Sequence, residues 1–239
     1  MAVFTEESVK ANIRVRDGRR VFFLADGDHL TPSAREWLRQ SRIEVLPADQ
    51  AKPKVFRTLS GATMNEKPEH MTHLQADVLV RKDHPRIKFR GCIDALEAEI
   101  LITGKYAEEQ GRQETVKQLA EILSFVRNLV RCDVLNEKLE VKSLCGFSTE
   151  QLREQSHHPQ KYFDQPHFMP DFFDSMLLLS LNRLRTVVRK TELAAYEAFQ
   201  DREGNVTRPD LLQGMNRLSS LLWIMMIRLK KEETHGKKA

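Results

Sequence analysis

Cysteine is scarce in this chain: three in 239 residues, at Cys92, Cys132 and Cys145, with no CxxC spacing. An odd, widely spaced set argues against a disulfide framework and a thiolate zinc cluster, and reads as reduced cytosolic thiols. Long apolar runs are missing too. The longest, Leu221 to Ile227, is far shorter than the ~20 residues that span a bilayer. The first twenty residues carry charges and no apolar segment, so no signal peptide is expected. There is no Walker A, no GxGxxG and no GxSxG, which removes the common nucleotide-binding and hydrolase signatures. The net charge is only +4, and the basic residues are spread along the sequence. That balance permits a phosphate-bearing ligand but does not mark a nucleic-acid groove, which needs a clustered basic stripe. Neither an internal repeat nor a low-complexity segment is present.

What is there is ordinary for a folded protein: 41% hydrophobic and 30% charged residues, enough to bury a real core in one large domain or a medium one with a small attachment. The first fifty residues read as a small β-α-β-like piece. Val21-Phe22-Phe23-Leu24 is a strand candidate, Thr31-Pro32 an N-cap with proline at the first helical position, and Ile43 to Leu46 a second strand. Residues 47–70, with three prolines, a glycine and scattered charges, read as a linker. From about Asp83 the pattern is helical, with Ile93, Leu96, Ile100 and Leu101, then Val116, Leu119, Leu123, Val126 and Val130. Gly104 and Gly111 mark the break between these two helices. A short helix fits Thr149 to Gln155, and a long one Asp171 to Gln200. The last helix, opened by a capping box at Thr207 and Asp210, carries Leu211, Met215, Leu218, Leu222, Met225 and Leu229. From Lys231 the chain is polar and is expected to fray. The fold class expected is mainly α, a bundle of four long helices and a short one. A small mixed α/β extension covers 1–70, the bundle domain 71–232 and a polar tail 233–239.

The most informative segment is Arg185-Thr186-Val187-Val188-Arg189-Lys190-Thr191-Glu192. At ~100° per residue, Leu177, Leu181, Leu184 and Val188 fall within about 60° of one another. Arg185, Arg189 and Glu192 fall within a similar arc beside that stripe, not opposite it. Such a set either binds an anion where water is scarce or forms a salt-bridge ladder on a solvated face. Lys82 to Asp94 is dense in charge before a helix, suited to phosphate or simply a solvated basic connection. Asp94 sits near an apolar face and wants a cation, for which Arg185 is a candidate; alternatively it is a first-turn acid favoured by the helix dipole. Asn216, inside an apolar helix, suggests a hydrogen-bonding duty or a harmless surface position. The loop with His157, His158, Pro159, Tyr162, Phe163, His167 and Phe168 offers histidines for a metal site, but lacks HExxH spacing and thiolate company, and reads first as a solvated loop over an apolar patch.

Taken in order, these segments resemble a corrinoid adenosyltransferase. Lys-Asp-x-Pro-Arg-Ile followed by Gly and Asp-x-Leu is similar to the start of the PduO-type bundle. Arg-Thr-Val-x-Arg-x-x-Glu and Asn-Arg-Leu-Ser are similar to that family's two later signatures. Leu30 to Arg35, Thr72-His73-Leu74, His84-Pro85-Arg86-Ile87 with Phe89-Arg90-Gly91, Ser156 to Pro159, and Arg208 to Leu212 resemble the ethanolamine-utilisation (EutT) branch.

The resemblance implies a five-helix bundle in which cob(I)alamin attacks C5′ of ATP and displaces the phosphate chain, with Mg²⁺ assisting. ATP would lie between subunits of a homo-oligomer, a trimer before a dimer. Arg185, Asp94 and Glu192 would form the catalytic group, with Asp94 paired to Arg185. Lys82, Arg189 and Asn216 would hold ATP, and Thr72 would stand where the PduO-type phosphate loop ends. The family's glycine-rich Thr-Gly-Asp loop is absent here, and residues 47–75 contain none of the cysteines of the EutT metal site, so no metal ligand is expected. Phe163 and Phe168 are the candidates for the corrin side. A cytoplasmic protein associated with a bacterial microcompartment is implied, passing its product to ethanolamine ammonia-lyase, with no nucleic-acid or membrane partner. The rival expectation is a non-catalytic helical module that binds ATP or cobalamin.

Overall fold

The computed structural model describes residues 1–16, 18–50 and 55–236. The described elements run β1 (Val3–Phe4), α1 (Glu6–Ala11), β2 (Arg14–Arg16), β3 (Arg19–Leu24), β4 (His29–Leu30), α2 (Pro32–Gln40), β5 (Glu44–Pro47), β6 (Phe56–Thr58), β7 (Thr63–Met64), β8 (Met71–Gln75) and β9 (Val78–Arg81). The helices then follow: α3 (Pro85–Glu109), α4 (Gln113–Leu135), α5 (Thr149–His157), α6 (Pro159–Phe163), α7 (Met176–Ala198) and α8 (Pro209–Gly236). The protein is mainly helical with small sheets, as expected. It divides into two compact units, Met1–Phe56 with Thr63–Glu66, and Arg57–Ala62 with Lys67–Ala239.

In the first unit, Thr31 caps α2 by accepting from the amide of Ala34, and α2 carries the chain from β3 to its parallel neighbour β5. Val9, Phe22, Leu30, Ala34, Leu38 and Ile43 make its core. The β-α-β piece is therefore present. The linker expected over 47–70 is not featureless: β6 and β7 lie in it, while 51–54 fall outside the described residues. Two further strands, β8 and β9, pair antiparallel ahead of the bundle, and β9 also pairs parallel with Arg57 and Thr58 of β6. Their short runs, Met-Thr-His-Leu-Gln and Val-Leu-Val-Arg, offer too little alternation to stand out in the sequence.

In the second unit α3 packs against α4 and α7, and α7 against α8; α5 and α6 lie on α8. The core is one cluster through all four long helices, including Phe89, Ile93, Leu129, Leu184, Val188, Leu218 and Leu222. Several expected boundaries move. Helix α3 starts at Pro85 with His84 as N-cap and runs straight through Gly104, because buried Ile100, Thr103 and Ala107 hold the turns on either side; only Gly111, at φ 68°, breaks the chain. Helix α7 starts at Met176, capped by Ser175, and not at Asp171. The Thr207/Asp210 capping box does not form. Thr207 Oγ1 donates to the Phe199 carbonyl, and Asp210 pairs with Arg208 and accepts from the Leu139 amide at 2.8 Å. The polar end does not fray at Lys231. Helix α8 continues to Gly236, with Glu232 paired to Arg112 and Glu233 accepting from Ser175 at 2.6 Å; residues 237–239 fall outside the described residues. Helix α8 also presses close at Gly214, where a Cβ would lie 2.7 Å from Leu139 and 3.1 Å from Phe125.

A polar knot closes one end of the bundle. Asp133, fully buried on α4, accepts Nε of Arg86 at 2.8 Å and Nε of Arg90 at 2.7 Å. Arg90 also reaches the Leu74 carbonyl on β8 at 2.8 Å. Phe199 lies under both Arg86 and Arg208 and meets Phe89 edge-on at 5.4 Å. Burial would raise the Asp210 carboxyl, but the bonds from Arg208 and the Leu139 amide outweigh it and hold it below the usual range. The basic segment read as suited to phosphate therefore spends Arg86 and Arg90 inside the fold.

Removing the Asp133 carboxylate strands two guanidinium groups. Asp133→Ala is expected to lower the free energy of unfolding by about 3–5 kcal/mol, measured by urea denaturation. A loss under 1 kcal/mol would show that water or another acceptor replaces it.

His84 supplies a pH test. Its Nδ1 accepts the Arg86 amide at 3.2 Å, which requires a ring that is unprotonated at that nitrogen. Burial, then the charges of Arg86 and Arg90, push its pKa below the ordinary value. The unfolded chain therefore takes up the proton first, and this contribution is present above the ordinary histidine pKa and lost as pH falls through the lower folded one. His84→Asn caps without titrating. Wild-type unfolding free energy is expected to fall more steeply than the variant's between pH 7 and 5; parallel profiles would refute this.

Candidate active site

Helices α7 and α8 run antiparallel with their apolar stripes facing the core, which leaves a groove between their outer edges. Residues 185, 189, 192 and 196 recur at helical spacing along one edge, and 212, 216, 219 and 223 along the other. With Ser156 and His157 from the end of α5 they line a cleft of about 560 Å³. The cleft thus gathers Arg185, Arg189, Glu192 and Asn216. Asn216 Nδ2 donates to Glu192 Oε1 at 3.2 Å, and Arg217 Nη1 donates to Asn216 Oδ1 at 3.0 Å, so the asparagine does hydrogen-bond as its helix-interior position suggests.

The charge is unbalanced. Among the described residues neither Arg185 nor Arg189 makes an ion pair, and Glu192 is the one carboxylate lining the cleft. Arg185 is half-buried, its Nε has no hydrogen-bond partner, and its guanidinium lies 5.2 Å from the centroid of the Trp223 ring. Burial, and then the neighbouring Arg189 charge, push its pKa down. The salt-bridge ladder along α7 is therefore not what forms. Two guanidinium groups one turn apart, with donors unspent, suit an anion with several oxygens.

Thr72 and Lys82 do not line this cleft. Thr72 sits in β8 opposite Val80, and Lys82 is an exposed residue after β9 whose amide donates to the His70 carbonyl at 3.0 Å. Asp94 and Arg185 do not pair within the chain. Asp94 falls on the exposed face of α3, one residue past buried Ile93, while Arg185 turns toward α8. Phe163 and Phe168 are already half-covered. Arg228 stands over Phe163 at 5.1 Å, and Phe168 stacks on Trp223 at 5.3 Å. The open apolar surface lies just beyond, where Met169, Phe172 and Phe173 are 87%, 99% and 88% exposed. Asp174 pairs with Lys230 and holds the far side of that tip. Among the described residues, no three His, Cys, Asp or Glu come together as a metal-holding group, and no helix is long and apolar enough to cross a membrane. The three cysteines are free; burial, then Glu121 and Glu114, push the Cys145 thiol up to about 12.

Sequence reasoning missed Trp223 and Tyr196, and named Ser156 only as part of a family-like loop. Trp223 stands seven residues from Asn216 and Tyr196 seven from Arg189, two helical turns in each case, so the same periodicity could have found them.

A core face with a cationic cleft between two late helices is the arrangement that the ordered motifs anticipate. The sequence profile of the cobalamin adenosyltransferase family matches residues 62–229, and the chain belongs to that family. Corrinoid adenosyltransferase EutT of Salmonella typhimurium is 32% identical over 246 residues, covering 93% of this chain and 90% of its own. EutT of Escherichia coli K12 gives the same figures. Among solved structures, a variant PduO-type ATP:corrinoid adenosyltransferase from Lactobacillus reuteri, complexed with cobalamin and ATP, aligns with TM-score 0.49 and 18% identity over 78% of this chain and 92% of its own.

Asn216→Asp would set a second carboxylate against Glu192 and cancel much of the cleft's positive charge. It is expected to weaken binding of inorganic tripolyphosphate about ten-fold or more, by calorimetry. Unchanged binding would mean that the anion does not enter beside Asn216.

Proposed function

We propose that the protein transfers the 5′-deoxyadenosyl group of ATP to cob(I)alamin. One observation carries this reading: Arg185, Arg189 and Glu192 share one cleft with Asn216, 24 to 31 residues further on, and among the described residues the two arginines have no carboxylate partner. The cobalt(I) lone pair forms the Co–C bond as the C5′–O bond breaks, and the bonding electrons leave with the triphosphate. Cob(I)alamin is itself the nucleophile, so the protein needs no nucleophile or general base. Its residues orient C5′ in line and neutralise the leaving polyphosphate. Arg189 and Arg185 meet the phosphates, and Asn216 and Glu192 fix the nucleotide. Mg²⁺ enters with ATP; a single carboxylate, Glu192, suits an ion that takes most of its ligands from phosphate and water.

The corrin side is the apolar tip at Met169, Phe172 and Phe173, beyond the Phe163 and Phe168 first indicated, because those two are already packed on other groups. Apolar groups there would keep a lower axial ligand off the cobalt. A homo-oligomer, a trimer in preference to a dimer, completes the site, with Thr72, Lys82 and Asp94 meeting the cleft of a neighbouring copy. The exposed face of α3 supports this: Gly91, Asp94, Ala95 and Ala98 lie open beside Leu101 and Ile102, which are 56% and 49% exposed. In this reading residues 1–70 are an attached extension to a bundle domain over 71–232, and 233–239 are a tail. The likeness to EutT supports a role in ethanolamine use; in this reading the product passes to ethanolamine ammonia-lyase, and the protein works in the cytoplasm in association with a microcompartment.

Mixing the protein with ATP, Mg²⁺, cobalamin and a reductant is expected to yield the light-sensitive Co–C product. Binding of both substrates without that product would favour the non-catalytic module instead. Arg189→Ala is expected to lower kcat/KM for ATP about ten-fold or more, and Arg189→Lys to recover only part, since lysine lacks the bidentate fork. Wild-type kinetics in Arg189→Ala would refute that role. With no cysteine in residues 47–75, protein purified without added metal is expected to hold well under one equivalent of iron or zinc. One equivalent, lost with activity on chelation and restored by that metal alone, would refute this.

A further inference from the structure

Trp223 is held by more partners than a groove-lining residue needs. Phe168 stacks on it with centroids 5.3 Å apart and planes 18° from parallel, and His167 stacks at 5.8 Å and 14°. Its indole N–H donates to Nδ1 of His167 at 3.2 Å. The other imidazole nitrogen, Nε2, then carries the ring proton and donates to the His157 carbonyl at 3.3 Å. The loop after α6 therefore fixes both the plane and the rotation of the indole before any ligand arrives. Arg185 is the opposite case: among the described residues it has no ion pair, and its buried Nε has no acceptor. A long, flexible stem with no partner samples many rotamers, and the attractive surface it touches is the electron-rich face of Trp223.

We infer that Trp223 is a positioning residue: its ring holds the Arg185 guanidinium in the cleft with donors free for a polyphosphate, and His167 holds the ring. The inference rests on the anion reading of the cleft given above. It gives His167 and Phe168 a task other than metal or corrin contact. They tie the loop to the anion site through Trp223, on which Phe168 stacks and over which Arg185 stands.

Calorimetry with inorganic tripolyphosphate reads this without the transfer reaction, so a failure here is separable from a failure of adenosyl transfer. Trp223→Leu removes the ring and is expected to weaken binding about three- to ten-fold. Trp223→Phe, which keeps a ring face, is expected to recover most of that affinity. Combined with Arg185→Gln, Trp223→Leu should add little further loss, because its effect passes through Arg185. His167→Ala, at an exposed position, removes the acceptor that orients the indole without removing the ring and is expected to weaken binding in the same direction. Once Trp37 is replaced by Phe, Trp223 is the single tryptophan. Its emission should then change saturably with tripolyphosphate, and the change should vanish in Arg185→Gln. No binding to the wild type, unchanged affinity in Trp223→Leu, additive losses in the double variant, or a silent Trp223 while calorimetry shows binding would each overturn the inference.

Discussion

A buried carboxylate with two arginines fixes where the long helices stand. Asp133 is fully buried, and its oxygens are taken by Arg86 and Arg90 from the first turns of α3. A charge out of water is tolerable only when its hydrogen-bonding capacity is met, and few arrangements of α3 against α4 achieve that. Arg90 carries the constraint on to the β8 backbone, and Phe199, between Arg86 and Arg208, carries it to the end of α7 and the start of α8. Hydrophobic packing along the bundle would tolerate some sliding of one helix on another. The polar knot selects one register, and that register sets Glu192 beside Asn216.

Helix α7 consequently has two kinds of neighbour. Leu177, Leu181, Leu184 and Val188 are buried in the core, while Arg185, Arg189 and Glu192 stand at its border. The Arg185 guanidinium is partly desolvated there, so its attraction for phosphate is less screened than at an open surface. An arginine ladder opposite the stripe would have been cheap and solvated, and would have done little.

The border position was legible because helical periodicity is a local property. The four long helices, and Arg185, Arg189, Glu192 and Asn216 in the cleft, follow from spacings of three and four. What stayed hidden was set by distant partners. Nothing in Arg131-Cys132-Asp133-Val134 announces that Asp133 meets arginines 43 and 47 residues earlier, so Arg86 and Arg90 read as free cations. Gly104 read as a stop although burial on both sides overrides a weak local preference. Strands β8 and β9 were too short to show a period, and the exposed tip at Phe172 and Phe173 was invisible because aromatics are ordinarily counted as core.

That tip is unusual in how it is presented. Asp171 accepts the Phe173 amide at 2.7 Å, Asp174 is tied to Lys230, and Ser175 caps α7 while bonding to Glu233. The chain on either side is thus already ordered. Burying three such apolar side chains under a flat partner would release their hydration water, and little backbone freedom would remain to be lost in exchange. The favourable entropy of association would then be realised almost undiminished, a thermodynamic advantage that an untethered loop of the same composition would forfeit.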